Sequence, residues 1–406
     1  NDFLSKNSNF TKTTSSYNSG FNIDLTKNPN NIFRITGILR QLNIHDSELI
    51  KTKPGQTIVG RTEHIAKFLK KIISTNTFYE TGSGMELKKE FSYLEVATGQ
   101  GVYKWTDYNG NNIRELNEFD VAIYSDQANF IRIYTPTNDY IKTFYNQFSE
   151  VISINPAVAL RGKKGFTGIL SKFSANAAYR IEHKINSDFG FNAFNPFTNN
   201  INDSLLITLA SSFRGSLLYN RTGTKFGADI SYQDNRNKNL LTTGFESRLI
   251  EQWDANIRIN ISKPFTFRLY LLKSDKSSYS EFFPVRDYNI LNLSTEPSLS
   301  WQPSNNFRLS IKWMYSHKEN SIGELNEKAF RNRFGSEIRY NITSKGSLFA
   351  KIHYLNIKYP FLENSSLAYE ILEGLRKGDN LTWNISFQRN LSEFLQLSIM
   401  YDGRSS

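Results

Sequence analysis

The sequence predicts an all-β protein: a transmembrane antiparallel up-and-down β-barrel of about 16 or more strands with long extracellular loops. The first observation is a strict alternation of apolar and polar residues between Asn256 and Asp402, which gives each strand one apolar face. The second is the strand length, close to the roughly 9–11 residues that a tilted strand needs to cross a bilayer. The third is that short and long connections alternate, so all short turns lie at one end of the strands.

The C-terminal part carries these observations most clearly. Alternating segments occupy residues 256–262, 265–271, 307–316, 381–388 and 395–401. Short turns are expected at 263–264, 303–306, 343–346 and 390–393, and long polar loops at 273–289, 317–331 and 359–380. A soluble sandwich or lipocalin can alternate in the same way, but it seldom carries so many long loops at one end. The membrane barrel is therefore the preferred interpretation.

The N-terminal part is less regular. Segment 57–79 is predicted as one long strand closed by a hairpin at 81–84 and followed by a strand at 85–96, with an amphipathic helix as the alternative for 57–79. A long external insertion is expected at 99–147, and a Phe-rich loop at 186–203. Further strands are predicted at 17–25, 32–44, 148–160, 166–185, 205–219, 226–232 and 241–262, with a polar loop at 233–239.

Composition agrees with one large barrel over residues 1–406. Aromatic residues make up 14% of the chain, and the mean hydropathy is −0.48, as expected when only one face of each strand is apolar. The absence of cysteine excludes disulfides and thiol catalysis. The net charge of +11 is compatible with outer-membrane lipid and lipopolysaccharide as partners, but Lys and Arg in loops and lumen are the preferred explanation. Basic residues are dispersed, so no nucleic-acid partner is expected.

Strand direction suggests a partial chain of a longer protein. The last segment follows a short turn and so runs towards the long loops, whereas barrels have an even strand number and usually end on the periplasmic side. We therefore expect at least one closing strand after Ser406 and more before Asn1; the alternative is a strand count that is wrong by one near Thr57 or Asn186. An exported barrel also needs a signal peptide, and the chain starts at Asn1 without one.

One motif within the insertion has the spacing of a calcium-binding loop. Oxygen-bearing side chains occupy positions one, three, five, nine and twelve of a twelve-residue stretch, and position seven supplies a backbone carbonyl. These residues are Asp107, Asn109, Asn111, Glu115, Glu118 and, at position seven, Ile113. Position six, normally Gly, is Asn112. The motif predicts a structural Ca²⁺ ion that pins the loop; the alternative is an Asn- and Gly-rich surface turn that binds nothing.

Three long stretches resemble one family. Residues 99–148, 233–248 (QDNRNKNLLTTGFESR) and 369–404 (ending in FLQLSIMYDGR) resemble segments of large, mostly uncharacterised Bacteroidota envelope proteins. The resemblance implies the C-terminal outer-membrane barrel of a much longer chain. In that family the calcium-like loop usually has Gly where this chain has Asn112, and the chain continues past the Asp-Gly-Arg to a final aromatic residue.

The side chains do not suggest an enzyme. None of the histidines (His45, His64, His183, His317 and His353) lies in an HExxH or Ser-His motif, and adjacency alone does not make a dyad of His45 and Asp46. We expect a non-enzymatic scaffold subunit of an envelope complex for protein export or outer-membrane protein assembly, with other envelope proteins as partners. The alternative is a channel or transporter for anionic or nutrient solutes, with lumen-facing cations at Arg258, Arg268, Arg308, Lys312, Arg339 and Lys351.

Overall fold

The computed structural model describes residues 2–6, 9–49, 55–186, 194–197, 206–241, 244–281, 284–323, 325–342, 345–392 and 394–406. The chain divides into two compact units. Unit 1 comprises residues 1–90, 136–215 and 235–242, and unit 2 comprises residues 91–135, 216–234 and 243–406. Most of the predicted Phe-rich loop at 186–203 lies outside the described residues.

Unit 1 begins with antiparallel strands, each of which pairs with the next strand in the sequence. They are β1 (Asp2–Lys6), β2 (Asn9–Asn28), β3 (Asn31–Ile44), β4 (Gly55–Phe68) and β5 (Ile73–Glu95). The prediction of one long strand at 57–79 is wrong, and so is the helical alternative. Leu69, Lys70 and Lys71 have φ angles of 49°, 57° and 70°, and these left-handed residues turn the chain between β4 and β5. The hairpin predicted at 81–84 is also wrong, because β5 runs straight through it.

The middle of the chain holds short elements between long strands. These are β6 (Tyr103–Trp105), β7 (Phe119–Val121), β8 (Phe130–Ile154), α1 (Ala157–Leu160), α2 (Phe166–Leu170), β9 (Phe173–Asn186), β10 (Leu206–Tyr219) and β11 (Phe226–Leu241). Strand β8 begins well before residue 147, so the inserted segment is shorter than predicted. The polar loop predicted at 233–239 is wrong, because β11 continues through it.

Strands of unit 2 form consecutive antiparallel hairpins. They are β12 (Gly244–Asn260), β13 (Phe265–Ser280), β14 (Tyr288–Trp301), β15 (Phe307–Asn320), β16 (Lys328–Ile342), β17 (Gly346–Lys358), β18 (Gly378–Asn390) and β19 (Gln396–Ser405). The predicted short turns are confirmed. The loops predicted at 273–289 and 317–331 are shorter than expected, because their polar ends stay hydrogen-bonded in the ladder: Lys276 pairs with Ile290, and Lys318 with Asn292.

Strand β15 shows which face meets the membrane. Its apolar residues Ile311 and Trp313 are 59% and 41% exposed, whereas Ser310 and Ser316 on the opposite face are buried. A soluble sheet buries its apolar face; here the polar face is the inner one, as in outer-membrane barrels. No helix among the described residues is long and apolar enough to cross a membrane. The predicted fold class, an all-β antiparallel up-and-down transmembrane β-barrel, is confirmed.

Candidate functional site

A folded cap stands at the long-loop end of unit 2. We define the cap as the inserted segment 96–129, with β6 and β7, and the loop 359–377, which contains α3 (Ser366–Leu372). Helix α3 begins at the N-cap Ser365, whose side chain accepts a hydrogen bond from the Ala368 backbone N–H at 3.0 Å. It ends at Glu373, and Gly374 follows with a φ of 70°.

Helix α3 packs onto the inner face of the strand ends. Its buried residues form one apolar cluster with side chains of β14, β16 and β17. The cluster consists of Tyr288, Ile290, Ala329, Leu355, Ile357, Tyr359, Ala368, Ile371, Leu372 and Leu375. Burial of this apolar surface is the main force that holds the loop in place, since each large side chain contributes roughly 1.5–3 kcal/mol.

A charged network lies directly below the helix. Lys318 of β15 donates to the Glu373 carboxylate at 2.7 Å and to the Ile371 carbonyl at 3.1 Å. Arg331 of β16 binds both oxygens of the same carboxylate. The Lys318 and Arg331 side chains are only 10% and 11% exposed, whereas that of Glu373 is 42% exposed. Glu373 therefore neutralises two cations that have almost no access to water.

Asp120 ties the inserted segment to the rest of the cap. Its carboxylate accepts hydrogen bonds from the Tyr108 hydroxyl and, at 2.5 Å, from the Ser366 hydroxyl. Arg286 lies 3.6 Å from it and donates to the neighbouring Phe119 carbonyl at 2.8 Å. Burial raises the pKa of Tyr108, and the Asp120 charge raises it further, so this phenol is a permanent donor.

Tyr369 of α3 makes the second set of contacts with the inserted segment. Its hydroxyl donates to Gln127 at 2.8 Å and accepts from the Ile123 backbone N–H at 2.9 Å. The Lys104 ammonium lies 3.5 Å from the centre of its ring, and burial lowers the pKa of Lys104. Arg404 of β19 adds a bidentate pair with Asp126, at 2.6 and 2.9 Å. The cap is thus a cross-linked structure and not a set of independent loops.

The calcium-like motif forms an exposed turn at the edge of the cap. The Asp107 carboxylate accepts the N–H groups of Gly110 at 2.6 Å and Asn112 at 2.8 Å, and Asn109 donates to Glu115 at 2.7 Å. The Asn111 side chain accepts the N–H of Ile113 at 2.7 Å. Asn112 has a φ of 58°, the left-handed conformation for which Gly is usual at position six.

Glu118, at position twelve, accepts hydrogen bonds from the backbone of the motif itself and from Trp105. It is 1% exposed, and its oxygens accept the Trp105 indole N–H at 2.8 Å and the Tyr108 N–H at 3.2 Å. Across the described ranges, no group of three or more His, Asp or Glu side chains is arranged to hold a metal ion. The turn brings together Asp107, Asn109, Asn111 and Glu115, and calcium binding stays a prediction.

His45 finds a partner that the sequence did not suggest. Its Nε2 lies 2.8 Å from the hydroxyl of Ser15 on the neighbouring strand of unit 1, and Ser15 is 4% exposed. Asp46, which follows His45, accepts the backbone N–H groups of Glu48 and Leu49 at 3.0 and 3.3 Å. The Ser15–His45 bond links β2 to the residue that follows β3, and the Asp46 bonds close the turn after it.

Comparisons with known proteins give distant likenesses. No protein-family model and no curated protein sequence matches the chain. The FrpB iron transporter from Neisseria meningitidis (F3-3 variant) matches with 10% identity and a TM-score of 0.45, over 97% of this chain and 62% of that one. The ferric-catecholate import receptor Fiu from E. coli K12 matches with 11% identity and a TM-score of 0.38, over 97% and 64%. OmpT of Vibrio cholerae matches with 10% identity and a TM-score of 0.34, over 98% and 100%.

The protein is located in the bacterial outer membrane, as its side chains indicate. On β15, for example, the exposed residues Ile311, Trp313 and Tyr315 alternate with the residues of a mostly polar inner face, such as Ser310 and Ser316. The chain spans less than two thirds of the length of FrpB and of Fiu.

Sequence reasoning missed α3 and the residues it organises. A signal for the helix was present: Ser365 is a good N-cap, Leu367 and Ile371 are four residues apart, and Gly374 follows the end. No local pattern could have revealed the ion network, because Lys318 and Arg331 lie 55 and 42 residues from Glu373 in the sequence.

Proposed function

We propose that the protein is a non-enzymatic scaffold subunit of an envelope complex, in protein export or outer-membrane protein assembly. The observation that carries this proposal is the cap: its loops are held in one arrangement by an apolar cluster and by the Glu373 and Asp120 networks. A fixed outer structure suits a docking platform, because a partner then need not order it on binding.

Apolar side chains on the long loops supply contact area for a partner. Leu362 is 85% exposed in the cap, Ile113 is 62% exposed in the calcium-like turn, and Leu325 is 68% exposed in the loop between β15 and β16. These side chains lie outside the lipid-facing band, and apolar side chains form the centre of many protein interfaces.

The test is recovery of partners from native membranes. The protein is extracted in mild detergent, and co-purifying envelope proteins are quantified by mass spectrometry with and without a calcium chelator. We expect stoichiometric partners whose recovery falls at least fivefold with Leu362→Asp. Leu391→Asp is the matched control, since Leu391 is 55% exposed in a short turn at the opposite end. Absence of stoichiometric partners, or equal loss with both variants, would overturn the scaffold role.

A channel or transporter for anionic or nutrient solutes is the second candidate. The observation that favours it is the row of cations on the inner face of the strands, such as Arg268 opposite Ser298 and Lys312 opposite Gly335. Measurement of ionic current across planar bilayers tests it. An anion-selective conductance in a protein without partners would favour the channel, and a non-conducting protein with partners would favour the scaffold.

A further inference from the structure

Three arginines cluster on the inner face of unit 2 near its short turns. Arg258 of β12 lies directly opposite Arg268 of β13. Arg308 of β15 has the same orientation, since it alternates with the outward Ile311 and Trp313. Arg268 is level with Ser298 of β14 and Lys312 of β15, so Arg308 lies on the same face, two strands away and four residues nearer the short turns. We call these three residues the arginine cluster.

Within the described part of the chain, the arginine cluster donates hydrogen bonds only to neutral acceptors. Arg258 donates to the backbone carbonyls of Arg221 at 3.4 Å and Gly223 at 2.8 Å, and its buried Nε has no acceptor. Arg308 donates to the Gln302 side-chain oxygen at 3.1 and 2.9 Å. Among the residues that the structure describes, the Arg268 guanidinium has no hydrogen-bond or ion-pair partner.

Neighbouring inner-face cations are neutralised by carboxylates. Lys312 lies 3.0 Å and Arg339 2.6 Å from Glu337, and Arg333 is paired with Glu296. These three cations therefore have a counter-charge within the chain. The arginine cluster departs from this pattern, although like charges directly opposite one another on a sheet are destabilising.

A glycine next to Arg258 leaves room for its guanidinium. A Cβ atom at Gly227 would lie 3.0 Å from Arg258 Nη2, so this glycine leaves room for the guanidinium to reach the turn carbonyls. Arg258 and Arg308 are thus fixed by neutral acceptors, while Arg268, whose side chain is exposed, is free to bind. Two fixed guanidinium groups and a free one can together donate several N–H groups to one anion.

We infer that the arginine cluster binds an oxyanion with at least two negative charges, of the phosphate class, which enters from the short-turn end. Guanidinium groups bind such oxygens in pairs, and a multiply charged ion offsets the mutual repulsion of three arginines. Barrels turn their short connections towards the periplasm, so the ion is a soluble one from that side. The site is independent of the scaffold role, since it needs neither the cap nor a partner.

Titration of the purified protein in detergent with inorganic pyrophosphate tests the site, with binding followed by calorimetry at low salt. We expect saturable binding that Arg268→Gln and Arg308→Gln each weaken at least tenfold. Arg268→Lys should fall in between, because lysine keeps the charge but lacks the paired donors. Lys328→Gln is the control: Lys328 lies at the long-loop end of β16 and its charge is offset by Glu319 at 2.8 Å, so it should change affinity less than twofold.

Thermal unfolding distinguishes a binding role of Arg268 from a merely structural one. Without ligand, Arg268→Gln should raise the unfolding midpoint by removing repulsion, and it should abolish the stabilisation that pyrophosphate gives the wild-type protein. The proposal is overturned if wild-type protein does not bind pyrophosphate saturably, if Lys328→Gln weakens binding as much as Arg268→Gln, or if Arg268→Gln lowers the ligand-free midpoint. None of these results bears on partner recovery, so the scaffold role stands or falls separately.

Discussion

Glu373 sits in a backbone conformation that glutamate rarely adopts. Its φ of 55° and ψ of 43° are left-handed, at the C-cap of α3 where Gly or Asn is usual. Such a conformation costs a non-glycine residue on the order of 1 kcal/mol. The ion network explains why it is retained, because glycine at this position would leave Lys318 and Arg331 without a counter-charge.

The charge of Glu373 makes cap stability depend on pH. Burial by itself would raise the pKa of this carboxyl, but the charges and hydrogen bonds of Lys318 and Arg331 outweigh it and hold the pKa well below its usual range. A lowered folded-state pKa gives stability that is complete above the unfolded value of about 4.3 and is lost as the pH falls below it. We therefore expect the hydrogen-exchange protection factors of α3, which are corrected for the intrinsic pH dependence of amide exchange, to be constant between about pH 7 and 5 and to fall below about pH 4.

Glu373→Gln separates this effect from general acid unfolding. It should destabilise the cap at neutral pH by about 1–3 kcal/mol, less than for a fully enclosed pair because the Glu373 side chain is 42% exposed. It should also remove most of the acid dependence of the protection factors in α3. The control is Glu370→Gln: the Lys276–Glu370 pair is 38% and 26% exposed, so its loss should cost less than about 1 kcal/mol. Equal effects of the two variants would contradict the network.

At the scale of elements, strand pairing in unit 2 could be predicted and several ends could not. The period-two alternation gives faces and short turns correctly, because each hairpin turn carries Pro, Gly, Ser or Asn. The turn at Leu69–Lys71 carries none of these residues, so nothing in the sequence separates β4 from β5. Polar strand ends were read as loops because hydropathy reports the membrane band, whereas hydrogen bonding continues beyond it.

The calcium-like turn illustrates the same division. Spacing alone predicted the left-handed Asn112 and the side-chain oxygens around it, and the turn has that geometry. The orientation of Glu118 could not be predicted, because it depends on Trp105, which lies before the motif. A calcium ion that used Glu118 as its position-twelve ligand would change the surroundings of the Trp105 indole, whose N–H donates to that carboxylate.

Tryptophan fluorescence therefore reports on calcium binding. We expect Ca²⁺ to change the emission of the wild-type protein saturably, and Trp105→Phe to lose this change although four other tryptophans remain. Asp107→Asn should weaken the response at least tenfold, and Mg²⁺ should not reproduce it, since Mg²⁺ demands a tighter octahedral site. An unchanged spectrum up to about 10 mM Ca²⁺, above the roughly 10⁻⁴–10⁻³ M range of extracellular calcium modules, would mean that the turn binds nothing.

At the scale of the whole molecule, the membrane dictates which residues are exposed. Ile352, Tyr354 and Phe334 project outwards from β16 and β17 at 47%, 45% and 55% exposure. On the other face of the same strands His353 and Glu337 are buried. Alternation and connection length predicted this inverted pattern, because both are local in sequence. The cap could not be predicted, because it joins segments that are more than two hundred residues apart, such as Asp120 and Ser366.

A charge on the outward face should lower the stability of the protein in the membrane. Ile352 is the central residue of β17, so Ile352→Arg places a guanidinium near the bilayer midplane at a cost of about 2–4 kcal/mol. Leu325→Arg is the control: Leu325 is more exposed, at 68%, but lies in a loop where arginine meets water. Urea unfolding from lipid vesicles measures both. Because an apolar side chain exposed to water loses nothing when it becomes arginine, equal stability of the two variants would show that the outward face does not meet lipid.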